Sequence, residues 1–403
     1  MFFPSETVRF LRAAFGVVSI LLTAILSLFP AAAQAAPFWY DSNWAYRKSI
    51  TIKPGQVSGT QLNFPVLIDS TSIDLLTNAQ ADGDDILFTD GNGQSKLAHE
   101  IEKYDSGTGR LVAWVKVPSA YSGKVIYMYY GNAAALNQEN KTGVWDPNFK
   151  LVQHLRESAG THFDSTTNGN DGTPLNGVVQ GATGKIDGAD SFDGVNDYID
   201  NGPSASLKLG LTDSITVEAW VNPALDGTND AIAGNEWDNA GYHLRVNSLN
   251  RGRFIIIDSG SIYKYSDTSV LTAGWHHIVG TWNGVNVTTY RDGVLDSAPG
   301  SAGILTDITS VLNFWIGNIP GSALPSGPFN GPIDEVRVSN TARSADWIDA
   351  EYKNQNDPGN FYALGSQETL PVTGLNTSAL LMLAISALAA GVIIARRRPS
   401  MSV

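Results

Sequence analysis

Aromatic side chains in polar stretches are the residues of this sequence best suited to contact a ligand. Trp237 lies in the loop Asn235–Asn239, which also carries a glutamate and an aspartate. Tyr263 and Tyr265 flank Lys264 in a second polar stretch. An exposed aromatic ring can stack on a sugar, while carboxylates or amides beside it bond to hydroxyl groups. The pattern predicts ligand contacts at Trp237, then at Tyr263 and Tyr265; packing of Trp237 beneath its loop is the alternative.

Four other tryptophans and two adjacent histidines fit strand patterns instead. Four tryptophans are expected in the core: Trp220, Trp275, Trp282 and Trp315. His276 and His277 are adjacent, and adjacent strand residues point to opposite faces. The pair is therefore not expected to hold one metal ion together, and we expect one histidine in the core and one at the surface.

The spacing of the carboxylates bears on whether the chain could cleave a glycosidic bond. A glycosidase needs two carboxylates about 5–10 Å apart across the bond that it cleaves. Asp334 and Glu335 are adjacent and should face opposite ways on a strand. The sequence has no Gly-x-Ser-x-Gly, His-Glu-x-x-His or phosphate-loop motif. We therefore predict that the chain is not an enzyme, with a glycoside hydrolase of unrecognised site as the weaker alternative.

Short runs of alternating hydrophobicity separated by Gly, Asp, Asn and Pro are the elements that must position these residues. Such runs recur from residue 38 to 140 and from 145 to 366, and they predict two all-β domains. Residues 275–298 contain Asn283-Gly284 and Asp292-Gly293 between β-prone runs. Both dipeptides favour type I′ turns, so this stretch predicts a three-stranded meander. One helix is expected from Ala345 to about Lys353, with Ser344 as its N-cap.

The charge balance limits the possible partners. The chain of 403 residues has a formal net charge of −13 and no cysteine. A strongly acidic surface repels nucleic acid and anionic lipid, so a nucleic-acid partner is not expected. Many carboxylates remain available for calcium. Without disulfides, the domains must rely on packed cores.

Residues 38–140 resemble a known bacterial family, "domain of unknown function 2341". The resemblance depends on four sequence segments: Trp44–Lys48, Gly83–Asp90, Trp114–Pro118 and Tyr127–Asn132. The resemblance implies a β-sandwich module of surface proteins, often paired with a lectin-like domain, and it supplies no catalytic residues. Asp84, Asp85 and Asp90 are interpreted as residues that shape the loops around a strand, with cation binding as the alternative.

Residues 145–366 resemble the concanavalin A-like, laminin G-type lectin superfamily. The sequence segments typical of this superfamily occur here in the same order as in its members: Asp164–Gly172, Ser191–Ile199, Val217–Val221, Trp275–Gly293 and Gly331–Val338. The resemblance implies a jelly-roll sandwich that binds a glycan, a protein or no known ligand. It also implies a Ca²⁺ ion held by Asp164, Asn170 and Asp334. The alternative is that Asp334 pairs with Arg337 or with a backbone amide.

Both ends of the chain carry targeting patterns. Residues 1–35 have Arg9 and Arg12, an apolar run and a small-x-small site, the layout of a signal peptide; an uncleaved anchor is the alternative. Near the other end, residues 370–374 precede an uncharged run at 375–395 and a basic tail at 396–403. The run is long enough for a transmembrane helix, and the tail would stay cytoplasmic.

This three-part pattern resembles the Leu-Pro-x-Thr-Gly sorting signal of sortase substrates. It implies recognition of Leu370, Pro371, Thr373 and Gly374, cleavage after Thr373, and transfer of the Thr373 carboxyl to an amine of the cell envelope. A plain membrane anchor is the alternative. We therefore expect a non-catalytic protein on the extracellular side of the envelope that binds a glycan or another envelope or host ligand. A structural spacer or coat component without a specific ligand is the main alternative.

Overall fold

The computed structural model describes residues 38–236, 240–301, 304–320 and 327–371. The predicted signal peptide, the transmembrane run 375–395, the basic tail, Thr373, Gly374 and Trp237 lie outside these residues. Within the described part of the chain, none of the helices combines the length and the apolarity that crossing a bilayer requires.

The described residues form 25 strands and four short α-helices. The first part of the chain contains β1 (Tyr46–Ile52), β2 (Gln61–Thr71), α1 (Ile73–Asn78), β3 (Leu87–Asp90), β4 (Lys96–Leu97), β5 (His99–Asp105), β6 (Arg110–Ala120), β7 (Val125–Tyr130) and α2 (Lys141–Val144). The middle contains β8 (Phe149–Gln153), β9 (Thr173–Leu175), β10 (Val179–Thr183), β11 (Gly188–Asp193), β12 (Tyr198–Asp200), a 3₁₀ turn (Ala205–Leu207), β13 (Ile215–Val221), β14 (Asp230–Gly234), β15 (Gly241–Val246) and β16 (Arg251–Ile257). The last part contains β17 (Tyr263–Val270), β18 (His276–Trp282), β19 (Val287–Arg291), β20 (Val294–Leu295), β21 (Ala298–Ser301), β22 (Trp315–Ile316), β23 (Asn330–Ser339), α3 (Ala345–Asn356), α4 (Pro358–Phe361), β24 (Tyr362–Leu364) and β25 (Glu368–Thr369).

The first sandwich packs a three-stranded sheet, in the order β2-β6-β5, on a six-stranded one. The larger sheet has the order β24-β1-β7-β3-β4, with β25 also paired to β1. The strands β24 and β25 come from residues that the sequence prediction placed at the end of the second domain and in the linker behind it. In the structure Ile50 pairs with Leu364 and Arg47 with Glu368, so the end of the described chain completes the first sheet.

The second sandwich is built from two eight-stranded sheets. One has the order β10-β11-β23-β13-β18-β19-β20, with β8 paired to β23; the other has the order β21-β17-β16-β15-β14-β22-β12-β9. Alternate residues of both sheets fill the core between them, among them Val217, Phe254 and Val336. The all-β, sandwich-like fold expected from the sequence is therefore confirmed for the described residues.

The predicted meander is present, but only one of its two turns has the expected form. Asp292 and Gly293 have φ values of 53° and 78° between the paired residues Arg291 and Val294, as a type I′ turn requires. At Asn283-Gly284 the strands end one step earlier, because Trp282 pairs with Val287 and leaves a four-residue loop. The Asn283 side chain accepts hydrogen bonds from the amides of residues 285 and 286 and closes that loop.

The helix predicted after the last long strand is confirmed as α3. Ser344 caps it by accepting a hydrogen bond from the Trp347 amide at 3.2 Å. The helix lies between the two sandwiches. Asn354 bonds to the backbone of Leu67 on β2, and Gln355 accepts the indole N–H of Trp220 on β13 at 2.5 Å.

One buried hydrophobic cluster spans both sandwiches, beside the separate core between the two sheets of the second. Phe64 and Trp114 of the first sandwich belong to the same buried cluster as Val279 and Trp347 of the second part of the chain. The alternation in Trp114–Val117 predicts that Lys116 lies on a solvated face of β6, opposite its two valine neighbours. Trp114, two residues away on that face, is fully buried because His154 stacks on its ring at 5.6 Å. The face that the sequence pattern assigned to solvent is thus the junction between the sandwiches.

Two expectations about neighbouring residues are wrong. Asp334 and Glu335 do not face opposite ways, since a β-bulge interrupts β23 where Glu335 has a φ of 53°. The core positions are taken by Ile333 and Val336, and both carboxylates lie on the junction side. His276 and His277 are both buried, because Asp292 and the Thr272 segment cover His276.

Candidate functional site

The outer face of the β17-containing sheet carries accessible aromatic residues. Cross-strand partners share a face in an antiparallel sheet. Tyr265 pairs with Ile255, Ile255 with His243, His243 with Gly234, and Gly234 with Trp315. The alternate positions of these strands fill the core, so this row lies on the side of the sheet away from it.

Tyr263 and Tyr265 form a pair of rings at one end of this face. Their centroids are 6.0 Å apart and their planes differ by 32°. Tyr263 is 37% exposed, whereas Tyr265 is half-buried. The structure thus brings together the two tyrosines that the sequence singled out, and it leaves one of them open to solvent.

An ion pair fixes the ring of Tyr265. The guanidinium of Arg253 lies 4.1 Å from the ring centroid and makes two hydrogen bonds to Asp267, at 2.5 and 2.7 Å. The hydrogen bond to Asp267 raises the pKa of Arg253, so this group stays charged. Gly300 on the edge strand β21 lies against the same ring, and a Cβ there would be 2.2 Å from a ring carbon. A side chain at position 300 would push Tyr265 out of place.

A cleft of about 520 Å³ opens beside Tyr265. Its lining residues are Lys264, Tyr265, Val285, Asn286, Val287, Thr288, Ser297, Pro299 and Gly300. The Lys264 ammonium donates to the Val285 carbonyl at 2.8 Å and lies 5.4 Å from the Trp282 ring centroid. Hydroxyl, amide and ammonium groups therefore line a cleft with an aromatic ring at its rim.

A second cleft, of about 620 Å³, lies among loops of the same sandwich. It is lined by Gly194, Val195, Asp226, Gly227, Thr228, Asn229, Asp230, Arg245, Ser248, Gly327, Pro328 and Asn330. Burial raises the pKa of Asp230 to about 6, against a hydrogen bond from Thr228 that lowers it. None of the described lining residues is aromatic, so this cleft offers no stacking surface for a sugar ring.

The tryptophans divide between core and surface. Trp220 and Trp282 are buried, as expected, while Trp275 and Trp315 are half-buried. Trp315 stacks on Tyr198 with centroids 4.0 Å apart, on the same outer face as Tyr265. Sequence patterns missed Arg253 and Asp267 as neighbours of Tyr265, and Trp315 as a residue of the same outer face. Their proximity depends on cross-strand register, which hairpin turns fix only locally.

The three residues assigned to calcium do not share one set of partners. Asp164 accepts hydrogen bonds from the amides of Val152, Thr166 and Asn170 at 2.9–3.0 Å and from the Thr166 hydroxyl at 2.8 Å. Asp334 instead accepts from the amides of Lys185 and Ile186, as the alternative interpretation expected. Asp164 and Asn170 are therefore neighbours, and Asp334 is held by another segment; calcium at these residues stays a prediction.

The described part of the sorting motif is attached to the first sandwich. The Leu370 amide donates to the Ala45 carbonyl at 2.9 Å, directly after β25, and Pro371 is exposed. Just before it, Glu368 accepts from Arg47 at 2.6 and 2.8 Å.

In the first domain, Asp85 accepts from the amides of Gln80, Gly131 and Asn132, which agrees with a loop-shaping role.

Two family models match this chain. One, described as the concanavalin A-like lectin/glucanases superfamily, covers residues 193–349. The other, the domain of unknown function DUF2341, covers residues 82–173. Both resemblances drawn from the sequence are thereby confirmed, and the tyrosine pair lies within the lectin-like segment.

Similar solved structures include three toxin binding domains. They are the binding domain of Paraclostridial Mosquitocidal Protein 1 (15% identity over 51% of this chain and 52% of that chain, TM-score 0.42), the botulinum neurotoxin serotype G binding domain (16%, 51% and 50%, 0.41) and the botulinum neurotoxin serotype D binding domain (14%, 54% and 53%, 0.41). This chain spans about half the length of each. No curated protein matches the chain.

Proposed function

We propose that this chain is a non-catalytic surface protein whose second sandwich binds a glycan at the cleft beside Tyr265. The observation that carries the proposal is the pair of rings of Tyr263 and Tyr265, 6.0 Å apart on the outer sheet face, together with the cleft of about 520 Å³ that Tyr265 lines. Ligand sites combine apolar surface with a few placed polar groups. Here the rings supply the stacking surface, and Lys264 with Asn286 and Thr288 supplies hydrogen-bonding groups.

The fixed position of the Tyr265 ring supports binding. Arg253 and Asp267 hold Tyr265 from below, and Gly300 leaves its ring room to lie flat against the edge strand. A side chain that is already ordered loses less conformational entropy when a ligand binds. Tyrosine is well suited to such a role because its ring is large, its side chain has few rotatable bonds and its hydroxyl can bond to solvent or to a ligand.

The surface location is part of the same proposal. A secretory signal at residues 1–35 would export the chain, and a sortase would cleave after Thr373 and attach it to the envelope. The bond between Leu370 and Ala45 would place the first sandwich directly ahead of that attachment point. Mass spectrometry of the C-terminus on intact cells tests this: a C-terminal Thr373 carrying an envelope amine supports it, and an intact basic tail contradicts it.

Substitution of the tyrosines tests the glycan site. We expect the full chain to bind a subset of a glycan array saturably and Tyr263→Ala to weaken that binding roughly tenfold, since loss of one stacked ring costs about 1–1.5 kcal/mol. Tyr121→Ala is the matched control, because Tyr121 is 43% exposed on the first sandwich. The test is isothermal titration with the best glycan of the array.

Other outcomes would assign a different role. A blank array would contradict glycan binding and favour a structural spacer. Equal loss of affinity in Tyr121→Ala and Tyr263→Ala would place the binding elsewhere. Release of reducing sugar that stops on substitution of one carboxylate would favour a glycoside hydrolase. Binding that disappears with a calcium chelator would support the Ca²⁺ assignment at Asp164, Asn170 and Asp334.

A further inference from the structure

A histidine and two glutamates from both sandwiches meet at the junction. Glu102 comes from β5 of the first sandwich, His154 follows β8, and Glu335 comes from β23 of the second. One ligand atom from each lies within 4.8 Å of the others. The three residues are 2%, 4% and 2% exposed, so bulk water does not reach the group.

The backbone of β23 is distorted at Glu335. Glu335 has a φ of 53°, a conformation that costs a residue with a Cβ about 1 kcal/mol or more. The distortion is the bulge that turns Glu335 toward the junction. Its Oε1 lies 2.7 Å from His154 Nδ1, and a Glu102 oxygen lies 3.6 Å from the same nitrogen.

Buried oxygen atoms at this junction lack partners. Glu102 Oε1 has no hydrogen-bond partner among the described residues, although Glu102 Oε2 accepts from the Trp114 indole at 2.8 Å. Asp334 Oδ1, next to Glu335 in the chain, is also buried without one. An unsatisfied buried carboxylate oxygen is strongly unfavourable, and a cation is one means of satisfying it.

Positive groups at the junction are outnumbered by carboxylates. Arg337 donates to Glu335 at 2.5 Å and to Glu351 at 2.5 Å, which engages its charge with those two carboxylates. Glu100, 1% exposed, lies 3.5 Å from His154 Nε2 and 3.5 Å from the Lys141 ammonium. Glu102 has no Lys or Arg partner of its own among the described ion pairs.

We propose that Glu102, His154 and Glu335 bind a divalent transition-metal ion, with Zn²⁺ as the best fit, that joins the two sandwiches. One imidazole nitrogen and two carboxylate oxygens form a ligand set of the type that Zn²⁺ accepts, whereas Ca²⁺ prefers oxygen ligands alone. Ligand atoms about 2.0–2.2 Å from a tetrahedral zinc ion are roughly 3.3 Å from each other. The separations of 2.7 and 3.6 Å at His154 Nδ1 bracket this value.

The surrounding residues are arranged to orient these ligands. The Trp114 indole holds Glu102 through Oε2, the oxygen that also lies 3.6 Å from His154 Nδ1. Arg337 holds Glu335 through Oε2, which leaves Glu335 Oε1 toward His154. Metal ligands commonly have such hydrogen-bonded supports. The ion would replace the proton that His154 shares with Glu335, so binding would release a proton. The proposal is independent of the glycan site.

Metal content and thermal stability test this site. The full chain is stripped with a chelator, dialysed and titrated with Zn²⁺ alone. We expect about one tightly bound Zn²⁺ per chain, a higher unfolding midpoint with the metal, and at least a tenfold weaker affinity in Glu102→Gln. The matched control is Glu157→Gln, because Glu157 also pairs with a buried histidine, His162, at 3.0 Å, but lies away from the junction.

Several results would overturn the assignment. They are the absence of stoichiometric Zn²⁺ binding to the wild-type chain, equal affinity in Glu102→Gln and the wild type, or an equal loss in Glu157→Gln. If Glu102→Gln does not fold, X-ray absorption on the zinc-loaded wild type decides. A shell with one imidazole and oxygen ligands supports the site, and a shell with two or more imidazoles, or with oxygen alone, contradicts it.

Discussion

At the scale of single residues, buried histidine–carboxylate pairs are prominent in the second sandwich. His162 lies fully buried between Asp190, at 2.7 Å from Nε2, and Glu157, at 3.0 Å from Nδ1. Burial alone would lower the pKa of His162, but the hydrogen bonds to Asp190 and Glu157 raise it to about 9. The group is therefore a cation at neutral pH in the folded chain.

The raised pKa of His162 predicts a loss of stability at alkaline pH. An unfolded histidine titrates near 6.5, so the contribution is complete below that pH and is lost as the pH rises through about 9. The upper limit is roughly 3 kcal/mol. We expect the difference in unfolding free energy between wild type and His162→Gln to shrink from pH 6 to pH 9.5, as measured by urea denaturation. A difference that stays constant over this range would contradict the assigned ion pairs.

The pairing of Tyr263 with Tyr265 also belongs to the residue scale. Alternation alone places residues two apart on the same side of a strand, so the sequence predicts that both rings share a face. It does not predict the cleft beside Tyr265, because Pro299 and Gly300 come from the strand β21, which reaches Tyr265 only through sheet pairing.

At the scale of elements, the two tight turns of the meander differ in their packing, because only one of them contacts the helix α3. Gly293, with φ of 78°, lies against Tyr352 of α3, and a Cβ there would be 2.9 Å from the tyrosine Cβ. Gly284, with φ of 87°, has no atom within 4 Å of the equivalent position. Both glycines adopt the left-handed backbone conformation, but only Gly293 also packs against a side chain of another element.

These two turns predict different costs for the same substitution. Gly284→Ala should cost about 1 kcal/mol through backbone strain alone. Gly293→Ala should cost roughly 1–3 kcal/mol more, because the new methyl group meets the Tyr352 side chain. Chemical denaturation of the two variants measures the difference. Equal costs would show that the β19–β20 turn does not pack on α3 as described.

At the scale of the whole molecule, one buried core cluster spans both sandwiches, and the end of the described chain adds two strands to the first sheet. Tyr362 on β24 is buried in that core, and its hydroxyl donates to the Asp69 carbonyl at 2.9 Å. The chain therefore leaves the second sandwich, passes through α3 and closes the sheet begun by β1. A cluster shared in this way predicts cooperative unfolding, since unfolding of either sandwich removes part of the cluster on which the other packs.

Tyr362→Ala tests this cooperativity. Removal of a buried aromatic side chain should cost about 3–5 kcal/mol. We expect calorimetry to give a single transition in the wild type and a single transition at lower temperature in Tyr362→Ala, while Tyr121→Ala changes little. Two transitions, of which only the first moves, would show that the sandwiches unfold independently.

The sequence by itself determined the class of each half. Period-two alternation, hairpin dipeptides and a Ser N-cap are local signals, and local backbone preferences are sufficient to place strands, the meander and α3. The Asp292-Gly293 turn and the Ser344 cap were predicted for this reason. Family resemblance added the two domain types, because the phrases that carry it are also local.

The tertiary structure alone decided which faces are buried. The alternation in β6 assigns the face of Lys116 and Trp114 to solvent, whereas His154 stacks on Trp114 where the two sandwiches pack. Alternation failed at Glu335, where a bulge sends two successive carboxylates to the junction. Contacts between distant segments depend on register and packing, and these are set by the whole chain rather than by a few neighbouring residues.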